Sequence, residues 1–417
     1  MRARTLSFIG AIGVLLLVSA GPADAAFAPD PSFDNDGAVV IDDSGVDAGM
    51  GVTTANGATY VAYSDFGGHV NVARLTLQGD LDATWGGGDG MVETSLIGQG
   101  RADVLVLANG KVLVAGGGNA SGLGLGVVRL TAAGVPDTTF SGDGKAVRTA
   151  ANVGGGQQLA VDATGRIYVA GNREQVFGPG DMASDFAVAR FRANGTLDNT
   201  FSSDAIAYVN QRRVDLLSDL AVDRSGRVLL MGDSKQGAFD LQGGVGLVAR
   251  LRANGSLDPN YSGDGKMTFT FGGNATVIGL GGGVDGSNRV VFGVTNMQGQ
   301  VGGVRVAAAG ALDPNYSGDG RAFAPFASWQ SRDGADRVGN TLVFTGWGTG
   351  GQLWVGRLTA TGAPDTAFGT NGEVLFDATP NDTDEAIAAA AGPSGSIVTA
   401  GYTSGAATNV LVTRLDA

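Results

Sequence analysis

What most constrains this chain is one frame of residues that recurs seven times. An Arg is followed by Gly five residues on, by Asp eight on and by an aromatic eleven on. In residues 250–265 the frame reads RLRANGSLDPNYSGDG. The arginines are Arg74, Arg129, Arg190, Arg250, Arg305, Arg357 and Arg414. Six carry the rest of the frame downstream: Asp82 with Trp85, Asp137 with Phe140, Asp198 with Phe201, Asp258 with Tyr261, Asp313 with Tyr316, and Asp365 with Phe368. For Arg414 the matching half stands near the other end of the sequence, as Asp30 and Phe33 in DPSFDNDG. Seven full copies are therefore expected, one of them divided between the first and last segments. That division predicts a ring in which the two segments meet.

Each part of the frame has a local reason. Asn194-Gly195 and Asn254-Gly255 supply positive φ for a tight reversal. Asp followed by Pro or Thr predicts an N-cap opening one short helical turn, best seen at Asp30-Pro31, Asp258-Pro259 and Asp313-Pro314. The aromatic is the anchor that sinks the loop, one ring burying about 150–250 Å². The Arg ends an apolar strand such as FAVAR, so its guanidinium needs a carboxylate or carbonyl partner. The Asp of the frame, in its own copy or the adjoining one, is the expected partner.

Residues 1–25 read as a secretory signal: Arg2 and Arg4, an apolar run over 6–20, then Ala23-Asp24-Ala25 as a cleavage site. The apolar run is shorter than the ~20 residues that spanning a bilayer needs. Residues 26–417 are expected to form one domain, secreted, periplasmic or held at the cell surface. Formal net charge is −13, which excludes nucleic acid and anionic membranes as partners, since both require clustered Lys and Arg. There is no cysteine, so an exported chain must rely on its core rather than on disulfides.

Within a copy the pattern after the frame is steady. A short strand such as KMTFTF (266–271) is followed by a second such as DLAVD (219–223), a turn such as RSG (224–226), a third such as RVLLMG (227–232), and a last strand ending in the Arg. Residues 384–392, DEAIAAAAG, are Ala-rich enough for a helix, but their place in the repeat makes them a second strand. No 3.6-residue apolar period appears outside the first 25 residues. The arginines are spaced 55, 61, 60, 55, 52 and 57 residues apart. Four-stranded modules repeated at ~40–50 residues mark β-propellers, and the extra length fits the long loop from Arg to aromatic. The expected fold is all-β: a single seven-bladed propeller of four-stranded antiparallel blades, closed between its two ends. A unit of this kind is expected to be a monomer.

These residues also resemble a family. The order GxLDxxFGxxGK, VxxxGxxVxxG and FxxxRL is similar to the delta-60 repeat of exported bacterial proteins, and it runs over essentially the whole of 26–417. The resemblance implies a propeller-like fold at the cell surface and brings no catalytic residues with it. Trp85, Tyr261 and Tyr316 depart from the usual Phe, and Ser203-Asp204-Ala205 breaks the turn of copy three.

Signals for chemistry are sparse. His69 is the single histidine, which excludes multi-histidine zinc sites and leaves no ordinary Ser-His-Asp triad. The SGDG turns lack the run of acids that a calcium loop needs. Acids precede each second strand: Asp47, Asp103, Asp215, Asp219, Asp333, Asp336, Asp384 and Glu385. In a propeller such loops gather at one mouth of the channel, where carboxylates can meet a polar ligand or a divalent cation such as calcium. Trp329, Trp347 and Trp354 cluster in copies five and six, as a sugar platform or as packing. The expected role is a non-catalytic binding or surface-interaction module without a cofactor, its partner a protein or a carbohydrate. The alternative is an exported metal-dependent hydrolase or lactonase with its site at the channel mouth.

Overall fold

The computed structural model describes residues 27–416 apart from 44–47, 66, 98–101, 118–122, 155–157, 179–180, 238–241 and 331–333. The proposed signal segment, Asp47 and Asp333 lie outside the described residues. Those described are all-β, with short 3-10 turns at Thr349–Gly351 and Pro393–Gly395 and no α-helix among them. Five hydrogen-bonded sheets result, three of four strands and two of eight. Each eight-stranded sheet is two four-stranded units joined at a single pair, Ile97 with Gly117 in one and Ser184 with Val214 in the other.

The innermost strands of the seven units are Ala48–Ala55, Asp103–Val106, Gln158–Val161, Val214–Val222, Val277–Val284, Gly334–Val338 and Thr383–Ala391. The last contains the Ala-rich stretch, which the repeat rather than its composition places correctly. Unit four shows the order within a unit: Val214–Val222 pairs Val228–Lys235, which pairs Val245–Leu251, which pairs Lys266–Phe269, all antiparallel. The strand after the frame thus belongs with the Arg strand before it. The sequence repeat and the sheet unit are out of phase by one strand, because the frame is the loop of a hairpin rather than a link between units. In unit seven the outermost strand is Ala38–Ile41, paired with Thr408–Leu415.

The middle strands are runs of Val, Leu and Ala buried on both faces, as in VLVAGG, where all six residues are buried. They are buried because units stack face to face. Seven apolar clusters form, and each combines residues of two successive units. One of them joins Val398, Val410 and Val412 of unit seven to Val52, Val61 and Leu75 of unit one. The innermost strands contact one another in the same order, including Thr383–Ala391 with Ala48–Ala55.

The frame ties the units at their rim. The Arg–Asp pairs are all made within a copy, at 2.5 Å for Arg74–Asp82, 2.7 Å for Arg129–Asp137, 2.8 Å for Arg190–Asp198, 2.9 Å for Arg250–Asp258, 2.8 Å for Arg305–Asp313 and 2.9 Å for Arg357–Asp365. Arg414 meets Asp30 at 2.5 Å and donates to Ser32 Oγ at 2.7 Å. The guanidinium also reaches the next copy. It donates to the carbonyls of Ala308 from Arg250, of Ala360 from Arg305 and of Leu77 from Arg414. It stacks on the anchoring ring, 4.5 Å from the centroid for Arg250 on Tyr261 and 4.8 Å for Arg414 on Phe33. All seven anchors are buried.

The predicted helical turn after the Asp is absent. Asp258 Oδ1 accepts the N–H of Asn260 while the Tyr261 N–H donates to the Asp258 carbonyl, so the Asp closes an Asx-type turn. The chain then reverses through Ser141, Ser202, Ser262 and Ser317, whose φ values of 51 to 54° a continuing helix does not allow.

Candidate functional site

The innermost strands surround a cavity of about 290 Å³. Three carboxylates line it: Asp103 from unit two, Asp219 from unit four and Asp336 from unit six. Gln158 and Ser218 add neutral polar groups, and the remaining wall is small or apolar, including Gly51, Gly281, Gly334, Ala102 and Leu280. Asp103 and Asp219 occupy equivalent positions, opposite Ala115 and Met231 of their neighbouring strands. Asp336 sits opposite Val343, while Gly334 occupies the place equivalent to the other two. A bulge at Ser218 sets the register of Asp219.

Each carboxylate reaches across to the next unit. Asp103 Oδ2 accepts the Leu159 N–H at 2.8 Å, Asp219 Oδ2 the Gly282 N–H at 2.8 Å, and Asp336 Oδ2 the Ala389 N–H at 2.8 Å. Asp103 and Asp219 also accept the N–H of the residue that follows them, at 2.7 and 2.6 Å. The three touch the cavity's solvent yet have protein on every other side. Burial pushes Asp103 up to about 6, against the two N–H groups it accepts. Burial pushes Asp336 up to about 7, with the charge of Asp103 adding to it. Asp219 is raised well above the usual carboxylate range by burial first and by the charge of Asp336 next.

The inner strands also close up on glycine. A side chain at Gly281 would bring Cβ to 2.3 Å from the Ala335 carbonyl, and one at Gly334 to 2.0 Å from that of Ile387. These glycines set the bore of the cavity.

The other predicted acids do different work. Asp215 is fully buried and accepts from the N–H groups of Gln211 and Arg212 and from Ser234 Oγ, bracing the loop that enters its strand. Asp384 repeats that brace with the N–H groups of Ala378 and Thr379. Glu385 is buried and accepts from the Tyr402 hydroxyl. The expectation that all eight acids stand in mouth loops is thereby corrected. Asp103, Asp219 and Asp336 are on strands facing the cavity, because the inner strand begins earlier than its apolar core suggests.

No group of three or more His, Cys, Asp or Glu among the described residues is arranged to hold a metal ion. The SGDG aspartates serve their own turns: Asp264 and Asp319 accept the N–H groups of Lys266 and Arg321 at 2.9 Å. His69 opens a strand beside Asp65, 3.2 Å away. Trp354 is core, its Nε1–H donating to Glu373 at 2.9 Å, whereas Trp329 and Trp347 are half-buried. A second repeated ion pair escaped the sequence reading: Asp162–Arg166, Asp223–Arg227 and Asp285–Arg289, at 2.6 to 2.7 Å across the turn after the inner strand. Its signal is the four-residue spacing of Asp and Arg around that turn.

Two stretches, residues 107–140 and 163–201, match the family model described as a domain of unknown function (DUF5122) beta-propeller. The chain carries β-propeller repeats. No curated protein matches it. Among solved structures it is similar to a protein of unknown function from Dyadobacter fermentans, at 12% identity over 91% of this chain and 98% of that one, TM-score 0.49. It is also similar to an ulvan lyase (11% identity, 89% and 95% covered, TM-score 0.49) and to the BP39L lectin of Burkholderia pseudomallei (13%, 86% and 97%, TM-score 0.45).

Proposed function

We propose that residues 26–417 close into a seven-bladed propeller of the delta-60 type, exported through the segment 1–25, and that the molecule binds rather than transforms its partner. Closure is supported by the pairing of Ala38–Ile41 with the last strand and by the apolar cluster shared between units seven and one. Export rests on the sequence of residues 1–25; no helix among the described residues is long and apolar enough to cross a membrane.

The observation that carries the binding reading is the fate of the cavity carboxylates. Each is held by a backbone N–H of a neighbouring unit, so its oxygens are fixed in place and turned toward different junctions. A hydrolase that works through a metal needs three or four oxygens converging on one point. A binding site needs fixed, spaced acceptors in a small-walled recess, and those are present. A carboxylate keeps lone pairs beyond those used on the N–H groups, which suits hydroxyl or ammonium donors of a small polar group. The reading is a monomeric surface-interaction module that takes a carbohydrate, or a polar protein side chain, at this recess. It needs no cofactor.

The test is a glycan array and calorimetry on the purified chain beside Asp219→Asn. A ligand whose affinity drops at least about tenfold in the variant supports the reading. Turnover of lactone or ester substrates, restored by calcium after chelation, would replace it with the hydrolase. Calcium alone is expected to leave the melting temperature unchanged.

A further inference from the structure

Asp103, Asp219 and Asp336 do more than line a recess: they alternate around it. Asp103 spans units two and three, Asp219 four and five, Asp336 six and seven. In every case the acceptor is a cavity carboxylate and the donor is the N–H of the next unit's innermost strand. The three donors are Leu159, Gly282 and Ala389, and each directly follows a residue that lines the cavity. The junction between units five and six is closed on glycine instead, at Gly281 against the Ala335 carbonyl.

We propose that these three carboxylates form a pH-operated latch on the inner wall, tight in mild acid and loosened as the solution becomes neutral to alkaline. The geometry gives the reason. Unit two, unit four and unit six each bring one carboxylate to the cavity, while units one, three, five and seven bring no charge. Among the described residues, no Lys, Arg or His lines it. Arg337, next to Asp336, lays its stem over Gly283 and turns its head to Asn340. Behind the wall of unit four, Asp233 accepts the Gly279 N–H and is itself matched by Lys235 at 3.7 Å. Among the described residues, negative charge that develops in the cavity therefore meets no counter-ion on its wall.

A protonated carboxyl still accepts the N–H through its carbonyl oxygen, so the bridge survives in acid without the charge. In neutral solution the three oxygens that hold the junctions carry like charges in one small space. The sign follows. Burial raises all three groups, Asp103 to about 6 and Asp336 to about 7, and a neighbouring carboxylate adds to it for Asp219 and Asp336. Between about pH 4 and pH 7 the folded chain thus binds more protons than the unfolded one, and stability falls as pH rises. Because the groups feel one another, the loss is spread over several pH units as a set.

The experiment is hydrogen exchange by mass spectrometry on the full chain at pH 5.5 and pH 8, corrected for intrinsic rate, beside melting curves over the same range. Peptides covering 158–161, 277–284 and 383–391 are expected to lose protection by about tenfold or more, one pKa step being a factor of ten. Strands remote from the cavity, such as 245–251, should change less. The variant Asp103→Asn/Asp219→Asn/Asp336→Asn keeps a carbonyl acceptor at each junction and should lose the fall in melting temperature. An equal fall in the variant would overturn the latch. If the triple variant does not fold, the exchange data on the unaltered chain decide: uniform protection at both pH values overturns it equally.

Discussion

Arg250 is 2% exposed and has a carboxylate, a carbonyl of the next copy and an aromatic face around it. Removing it strands Asp258, also buried, with the charge it was paired to gone. Arg250→Ala is therefore expected to cost about 3–5 kcal/mol in chemical denaturation. Arg252 faces the same Asp258 at 3.5 Å but is half exposed, and Arg252→Ala should cost under ~1 kcal/mol. Tyr261 gives the opposite expectation. Its hydroxyl is buried with no hydrogen-bond partner, and burial raises its ionisation above the usual phenol range. Tyr261→Phe should leave stability unchanged or raise it by up to about 1 kcal/mol, read as melting temperature. The aromatic was legible in the sequence as an anchor because it recurs in register. The idle hydroxyl was not, since nothing in a sequence reports which buried groups find partners. The frame carboxylates run against the cavity ones in pH. Burial opposes the ionisation of Asp258, but the Asn260 N–H and the Arg250 charge outweigh it and its pKa is lowered. That contribution is complete above about pH 4 and is lost as acid is added, so the frame resists neutral pH well and strong acid poorly.

At the level of strands, the glycines of the inner wall decide how closely units approach. Gly334→Ala would place Cβ 2.0 Å from the Ile387 carbonyl, whereas the loop Gly339, with nothing within 4 Å, has only its φ of 59° to strain. The first substitution should cost at least about 3 kcal/mol and the second about 1 kcal/mol, compared by urea midpoint. The four strands of a copy could be read from the sequence because turns and apolar runs alternate at fixed intervals. Their phase could not. Whether an Arg strand pairs forward or backward across the frame depends on the hairpin, and both pairings leave the same residues buried. The cavity aspartates fall in the same category. Asp103 and Asp219 were visible as acids near an inner strand, but their partners are backbone N–H groups, which every residue but proline offers.

For the whole molecule, the first strand is the test. Ala38–Ile41 covers the edge that Thr408–Leu415 would otherwise expose, and Arg414 loses Asp30 without it. A chain starting at residue 48 should unfold at a markedly lower temperature or associate through the bared edge, measured by light scattering. A monomer of unchanged stability would refute the closed arrangement. The expectation of seven copies rests on the arginines, one to each copy.

The guanidinium of Arg250, Arg305 and Arg414 holds the neighbouring copy by a main-chain oxygen, at Ala308, Ala360 and Leu77. Any amino acid supplies that oxygen, so the bond makes no demand on the side chain of the residue that gives it. Whole copies can be duplicated, and their outer loops rewritten, while the coupling between modules stays the same. A scaffold with such indifferent joints is free to diversify its exposed loops, and the changes that matter for recognition need never pass through the parts that keep it assembled.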